Sequence, residues 1–535
     1  MNITFVAKGT EQLPISLLAA IAKGEGHKIG VAFSASLFQA EIPWLGKMLD
    51  DRSDVIQAIK DQKPDVLAFS ALTLNYQWML GIAREAKEIF PNVKTIFGGV
   101  HPSAVADRVL ANAEVDYVVV GEGDHAFGKI LRTIATGKKP EAAIANTRFK
   151  NAAGEIVRGL QGGFLQNLDS VPGFDKTIWE DYVNIGDRYL TMASRGCPYR
   201  CTFCFNNFFA RLPDGAKGKY VRTRSVEHMI HELLIAKKRY KLTYVDFFDD
   251  VFTVYKPWVK EFMVEYKKQI NVPFGFFSHP HYMDDEVMGW LKEGGAEWAQ
   301  MGIQSMDEEF KIKSLHRYED SLEIEKALES SHKYGIKIKV DHMFGLPGEP
   351  EGAQEKALAL YTRHSPQRIS TYWTCFLPGT DLMQQGINEG ILTQEQADQI
   401  NDGLVSYSFG NREGMKDKNR AKYYESYELL FKIFPLIPNR IRPGINPKLL
   451  EKLPGVIFRP LAIALDLFNC VVTRNHDYLA QFIHYGFYLA NFVTKKVGWR
   501  LKPNKVDYTV NTNFQIVIPQ QETDSATPAP IEKAA

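Results

Sequence analysis

The chain has 535 residues, 45% of them apolar and 24% charged, a composition that folds and that excludes collagen-like, coiled-coil and wholly disordered architectures. This length exceeds one hydrophobic core and divides into two or three domains. With 64 Lys and Arg against 63 Asp and Glu the formal charge is +1, which leaves no basic field to grip a phosphate backbone, so nucleic acid is not expected as a partner.

The opening segment MNITFVAKG turns polar too soon for the apolar region of a signal peptide, and no export is expected. Apolar runs at 3–7, 28–33, 66–70, 95–97 and 117–120 read as buried strands, with a helix over 76–90 between two of them. The alternation predicts a doubly wound parallel sheet over 1–140, whose ligands sit at the carboxyl ends of the strands. Residues 141–185, punctuated by Gly162-Gly163 and Val171-Pro172-Gly173, read as a connecting segment. Strands are then expected at 190–194, 244–248, 274–278, 298–303, 336–341 and 369–375, each separated by room for a helix. Six such units over 186–390 make an incomplete (β/α) barrel with its chemistry at the carboxyl ends. The fold class is therefore α/β: a Rossmann-like (flavodoxin-like) domain, a partial (β/α)6 TIM-type barrel, then a mainly helical region over 391–515. The tail 516–535 is polar, rich in Pro and Ala, and expected to be disordered.

Five cysteines cannot form a disulfide framework, and three of them, Cys197, Cys201 and Cys204, stand at C-x3-C-x2-C directly after a predicted strand. The clustering points to a metal centre in a reducing cytoplasm. Three thiolates can hold three irons of a [4Fe–4S] cube and leave the fourth iron open, whereas an electron-transfer ferredoxin needs a fourth cysteine. Cys375 and Cys470 are remote and read as small packing residues. A structural zinc site with His228 or His231 is the alternative, although zinc cysteines usually come as two C-x2-C knuckles. His279, His281 and His342 lie near strand ends and read as structural.

The cysteine segment resembles the radical S-adenosylmethionine superfamily, and later segments match in order. The resemblance implies that Cys197, Cys201 and Cys204 hold the cluster. It also implies that the methionyl amine and carboxylate bind the open iron, and that an electron cleaves the sulfonium to a 5′-deoxyadenosyl radical. Phe203 falls at the aromatic position beside the adenine. The run Phe247-Phe248-Asp249-Asp250-Val251-Phe252 stands where many members have Gly-Gly-Glu; the glycines are missing, and Asp249 and Asp250 become the implied acceptors of the ammonium. Gly302-Ile303-Gln304-Ser305 followed by Arg317 is similar to the ribose and carboxylate contacts of the oxygen-independent coproporphyrinogen oxidase branch. Val340-Asp341-His342-Met343-Phe344-Gly345-Leu346-Pro347-Gly348-Glu349 is similar to its fifth-strand signature, with Asp341 as the polar contact, and Phe376-Leu377-Pro378-Gly379-Thr380 completes the sixth strand.

The first domain resembles cobalamin-binding Rossmann-like domains through Ser70-Ala71-Leu72 and Gly98-Gly99, with the extensions Val100-His101-Pro102-Ser103 and Gly121-Glu122-Gly123-Asp124. Small residues suit loops that a bulky group must pass. The implied cobalamin contacts are Ser70, Leu72, Gly98, Gly99, His101, Gly121, Glu122 and Gly123. Such domains that supply an imidazole to cobalt carry D-x-H-x-x-G after the first strand. Here Lys8-Gly9-Thr10-Glu11-Gln12-Leu13 has no histidine, so a protein imidazole below cobalt is not expected; His27 and His101 read as structural with respect to the metal.

The implied reaction is hydrogen abstraction from an unreactive carbon followed by methyl transfer from methylcobalamin, on a small molecule, with a flavodoxin or ferredoxin-type electron donor. The same cofactors drive ring formation or oxidation in other members, and a non-catalytic corrinoid sensor is the reading from another class. Methylthiolation of tRNA needs a second cluster with three further cysteines, and only Cys375 and Cys470 remain. In the C-terminal region, 478–494 holds no Asp, Glu, Lys or Arg, with Lys495, Lys496 and Trp499 following, but it is short and interrupted for a membrane span. It reads either as part of a helical cap over the barrel or as an interfacial pair of helices docked on a bilayer, peripheral at the inner face of the membrane. In the second case the expected substrate is a lipid or tetrapyrrole.

Overall fold

A computed structural model describes residues 1–37, 43–137, 142–151, 153–212, 218–404, 418–445, 447, 450, 455–473, 475–494 and 502–512. The expected disordered tail lies outside the described residues, as do Lys495, Lys496 and Trp499. The first sheet comprises β1 (Asn2–Lys8), β2 (Lys28–Ser34), β3 (Val66–Ser70), β4 (Lys94–Gly98), β5 (Tyr117–Val119), β6 (Thr147–Lys150) and β7 (Ile156–Arg158). Their spatial order is β2-β1-β3-β4-β5-β6-β7. β1 to β5 pair in parallel and are apolar on both faces because helices cover both. α1 (Leu13–Gly24) and α2 (Tyr76–Ile89) are two of those covers; α2 buries Tyr76, Met79, Leu80, Ile82, Ala83 and Ala86, one stripe of a helix. β6 and β7 come from the stretch expected only to connect, and they add an antiparallel edge to the sheet. The strand order reverses between β1 and β3, so the crevice for a ligand opens outside their carboxyl ends.

The second sheet runs β15-β14-β13-β12-β11-β8, parallel throughout. Its strands are β8 (Tyr189–Thr191), β11 (Val245–Phe247), β12 (Phe274–Ser278), β13 (Ala296–Gln304), β14 (Lys337–Phe344) and β15 (Arg368–Trp373). All six expected units are present, and the sheet stays open between β15 and β8. β13 shows the two-residue period of a strand between two layers: Ala299, Met301 and Ile303 are fully buried, while Trp298 and Gln300 line an internal cavity with Asp246, Phe277 and Lys339. A short antiparallel ribbon of β9 (Ser194–Arg195) and β10 (Arg222–Thr223) frames the cysteine segment. α3 (Val226–Tyr240) follows it, capped by the Ser225 hydroxyl, which accepts from His228 N.

Beyond the barrel the chain is helical, as expected: α4 (Gln394–Asn401), α5 (Lys418–Ile433), α6 (Gly455–Thr473) and α7 (His476–Thr494). α5 packs on β15, where Trp373 Nε1 donates to Glu428 at 3.0 Å. α6 lies against the amino ends of β14 and β15: Lys337 Nζ donates to Thr473 O at 2.9 Å and Arg368 Nη2 to Asp466 at 3.0 Å. α7 reaches the first domain, where the Tyr488 ring stacks on Phe33. No helix among the described residues is long and apolar enough to cross a membrane.

A candidate iron–sulfur and corrinoid cleft

The cysteine segment leaves β9 through Gly196, which has φ +86°; a Cβ there would sit 2.3 Å from Tyr220 O, so no other residue fits. The loop is then pinned from two sides. Thr202 N and Oγ1 donate to Leu315 O (3.2 Å) and Ser314 O (2.8 Å), both in the π-helical turn Lys311–Leu315 after β13, and Leu382 N donates to Thr202 O at 2.9 Å. Isolated π turns of this kind recur at functional sites. Cys201 is buried, Cys197 and Cys204 half-buried, and none forms a disulfide. Burial pushes the Cys197 thiol up to about 12 and Cys204 to about 11, with the neighbouring thiols adding to both shifts. The three sulfurs thus sit within electrostatic reach of one another in a place where a bound cation, by contributing positive charge, would reverse the preference for the neutral thiol.

Among the described residues no three His, Cys, Asp or Glu side chains converge on a point fit for a single metal ion. His228, one of the two alternative zinc ligands, is engaged with Asp169 and Arg224.

Arg317 is buried beside Cys201, its Nη1 3.9 Å from the sulfur; Nη2 donates to Gly302 O and Nε to Glu319, both at 2.7 Å. Burial would raise the Glu319 pKa, but His279, Arg317 and Lys311 hold it well below the usual carboxylate range. His279 stacks on Tyr199 with centroids 3.8 Å apart. Glu319, Lys311 and Tyr199 escaped sequence reasoning; only Tyr199, inside the cysteine segment, carried any signal.

The other expected contacts fall at the carboxyl ends of the strands. Asp249 is buried and accepts from Ala193 N (3.0 Å), Ser194 N (2.6 Å) and the Ser194 hydroxyl, while burial lifts its pKa to about 6. It organises the start of the cysteine ribbon. Asp250 is exposed and accepts from Asn206 Nδ2 at 2.8 Å; the walls around it raise its pKa. Gln304 has φ +67° at a bulge in β13, an uncommon conformation for a non-glycine residue that marks stored strain. Ser305 is fully buried and donates to Glu349 at 2.7 Å. Asp341 accepts Gln300 Nε2 on both oxygens at 2.8 Å; Gln300 Oε1 is buried with no hydrogen-bond partner among the described residues. Phe203 is half-buried and packs against two apolar clusters, one containing Phe376 and Leu382 and the other Phe310, Leu315 and Leu346. His342 is held at both ring nitrogens, by Tyr361 (3.0 Å) and Gln354 (2.7 Å).

On the opposite wall, the loop after β3 presents Leu72 and Leu74, 52% and 69% exposed, at the carboxyl edge of the first sheet. Gly99 has φ +99°, and a Cβ there would stand 2.8 Å from Ala71 O, so the glycine allows the two loops to touch. Ser103 Oγ donates to Gly99 O (2.7 Å) and accepts from Gly121 N (2.9 Å), which joins the third loop to the pair. His101 is buried with Nδ1 3.1 Å from Thr73 Oγ1, its Nε2 lacks a hydrogen-bond partner, and burial depresses its pKa to about 4. An apolar ledge beside an orphaned buried nitrogen suits a large ligand with both apolar and polar edges.

The corrinoid-side loop, whose Glu122 and Asp124 lie in a motif the sequence offered, is tied to the ribbon by two arginines that sequence reasoning did not single out. Arg222 grips Glu122 through two hydrogen bonds of 3.0 and 2.8 Å, and Arg195, two residues before Cys197, grips Asp124 at 2.9 and 2.8 Å. Burial works to raise the Asp124 pKa, but Arg195 outweighs it and the carboxylate stays ionised. The glycine-flanked loop after β5 is therefore tied directly to the cysteine ribbon.

Residues 15–131 match the B12 binding domain family, and residues 192–360 match the radical SAM superfamily. The chain belongs to the radical S-adenosylmethionine superfamily, in the branch that carries an N-terminal cobalamin-binding domain, and its cofactors are a [4Fe–4S] cluster, S-adenosylmethionine and cobalamin. It is 25% identical to an uncharacterized methyltransferase of Pyrococcus horikoshii over 404 residues, 73% of this chain and 84% of the relative. It is 24% identical to the hopanoid C-3 methylase of Methylococcus capsulatus over 386 residues, 69% of this chain and 68% of the relative. Its fold resembles that of the radical S-adenosylmethionine methyltransferase TsrM from Kitasatospora setae, solved with tryptophan substrate and a S-adenosylmethionine analogue, at TM-score 0.57 and 16% identity over 73% of this chain and 76% of that one.

Proposed function

We propose that the protein is a cobalamin-dependent radical S-adenosylmethionine C-methyltransferase acting on an unactivated carbon of a small molecule. The observation that carries this reading is the direct bonding of the corrinoid-side loop to the cysteine ribbon through Arg195–Asp124 and Arg222–Glu122, which joins the residues proposed for the two cofactors. When bound, the cluster supplies the electron that cleaves S-adenosylmethionine to a carbon radical, and cobalamin carries the methyl group.

Cys197, Cys201 and Cys204 would hold the cluster. Asp250, whose carboxylate is exposed, would accept the ammonium of S-adenosylmethionine, with Asp249 behind it fixing the ribbon. Gln304 would meet the ribose and carboxylate, with Ser305, fully buried on Glu349, holding that turn from behind rather than touching the ligand as the resemblance implied; Asp341 would be a further polar contact, and Phe203 would flank the adenine. Arg317, engaged by Glu319 and Gly302, serves as a positioning and charge-setting group for Cys201. Ser70, Leu72, Gly98, Gly99, His101, Gly121 and Gly123 would line the corrinoid site, with Glu122 holding that loop to the ribbon. The domains in this reading are the expected 1–140, 186–390 and 391–515, with the first extended by β6 and β7 (Thr147–Arg158) out of the segment 141–185 that was expected only to connect. The electron donor is of flavodoxin or ferredoxin type, and the protein is cytoplasmic with a peripheral contact to the inner face of the membrane.

The test is anaerobic loading with iron, sulfide and cobalamin, then S-adenosylmethionine carrying a labelled methyl group, a strong reductant and candidate substrates. Release of 5′-deoxyadenosine together with label in the product supports the reading. Release with an unlabelled, ring-closed or oxidised product would assign the non-methylating chemistry instead, and no release under any loading would leave only a corrinoid-binding protein.

A further inference from the structure

Helices α6 and α7 each bury one side and leave the other bare. On α6, Cys470 is fully buried with its sulfur 2.9 Å from Arg368 Nη1, and Asp466 accepts from Arg368 and Lys432. The opposite side carries Ala464, Leu467, Phe468, Val471 and Val472, all exposed, at the i, i+3, i+4, i+7, i+8 spacing of one helical face. On α7, Tyr485, Tyr488 and Phe492 pack against the main core, while Ile483, Gly486, Leu489 and Val493 are exposed. The seven large apolar side chains of the two stripes range from 41% to 62% exposed, and no charged residue interrupts either stripe. Proteins that work only in water rarely gather such a surface.

We propose that this two-helix face lies on an anionic bilayer. The proposal rests on the reading of a peripheral membrane contact and assigns it to a surface and a lipid charge. The charge pattern selects the occupant: from Tyr478 to Val506 the chain has Lys495, Lys496, Arg500, Lys502 and Lys505 and no Asp or Glu, with Asp507 next; Lys502 and Lys505 are exposed, Lys502 only loosely paired with the equally exposed Asp181 at 3.7 Å. A second copy of this chain would bring the same positive charge against itself. A bilayer rich in acidic headgroups accepts the apolar stripes at the acyl boundary and the lysines at the headgroups. Neither helix is apolar enough to cross the membrane, so the contact is interfacial.

Flotation of the cofactor-loaded full chain with vesicles, in the absence of S-adenosylmethionine and reductant, tests this independently of the reaction. Binding is expected to vesicles of phosphatidylcholine mixed with phosphatidylglycerol, weaker to phosphatidylcholine alone, and to fall as salt rises. Phe468→Glu with Val472→Glu should lower the affinity at least about 100-fold, from the lost burial of two large side chains, with the thermal midpoint unchanged because both are exposed. Lys502→Gln with Lys505→Gln should lower it roughly 30-fold, about fivefold for each basic residue, without touching the apolar stripe. Failure to float with either lipid, equal binding by the apolar variant, or a vesicle-free dimer that the apolar substitutions dissociate would each overturn the proposal. Loss of 5′-deoxyadenosine release alongside intact vesicle binding would sink the reaction and leave this surface standing.

Discussion

Arg317 meets the Cys201 sulfur, the Glu319 carboxylate and a strand carbonyl at once. Because Glu319 is buried, Arg317→Gln should destabilise the fold by about 3 kcal/mol, and adding Glu319→Gln should restore most of it. Arg317→Gln alone should shift the reduction potential of the loaded cluster to more negative values, since a positive charge beside one ligand is lost, and the double variant, which loses a negative charge as well, should shift it less; potentiometric titration read by electron paramagnetic resonance checks this, and an unchanged potential in Arg317→Gln would remove Arg317 from that role. Glu349 gives the pH signature. It accepts from Ser305, Gln354 and Tyr424, yet burial raises its pKa from 4.5 to about 7. The unfolded chain therefore releases this proton first, and stability present below about pH 4.5 is lost as pH rises to about 7, by on the order of 3 kcal/mol. Chemical denaturation at the two ends of that window should show the loss in the wild type and a smaller one in Glu349→Gln; equal losses would count against the assignment. At this scale the sequence singles out a residue where a motif recurs, as for Asp341, and is silent where a partner sits on a neighbouring strand, as for Gln300, which donates to it.

The cysteine ribbon depends on backbone geometry as much as on sulfur. Gly196→Ala adds a left-handed penalty of about 1–2 kcal/mol to a contact with Tyr220 O that must be relieved. The expected result is a displaced loop that incorporates iron poorly while the distant sheets keep their circular dichroism; normal iron content would show that the loop tolerates the shift. Arg195→Ala leaves Asp124 buried and unpaired and should cost about 3–5 kcal/mol, whereas Arg195→Met with Asp124→Leu should recover much of that. The recovered double variant should still bind cobalamin if the pair acts by joining the walls rather than by touching the corrinoid, as an absorbance titration would show. The alternation of apolar runs revealed the eleven parallel strands of the two sheets, because buried parallel strands are continuous in hydrophobicity. β6 and β7 escaped because they are short, edge-placed and half polar, which removes that signal.

Across the molecule, the loop after β5 is bonded to the cysteine ribbon, and the helices after the barrel pack on the amino ends of β14 and β15 and reach back to the first domain. Domain order and cofactor classes could be read from spacing and motif; the contact between domains could not, since Arg195, Arg222, Glu122 and Asp124 are ordinary charges until folding brings them together. The α6–α7 face was legible as an apolar stretch, but which side of each helix stays in solvent depends on what α5 and β15 cover. The account turns on three thiols that share one cluster within reach of S-adenosylmethionine. Electron paramagnetic resonance of the reduced, anaerobically reconstituted protein, recorded before and after addition of S-adenosylmethionine, tests it most directly. A [4Fe–4S] signal that changes on addition, and that vanishes in Cys197→Ala, Cys201→Ala and Cys204→Ala alike, is the expected result. A signal that survives any one of those substitutions, or that S-adenosylmethionine leaves unaltered, would contradict it.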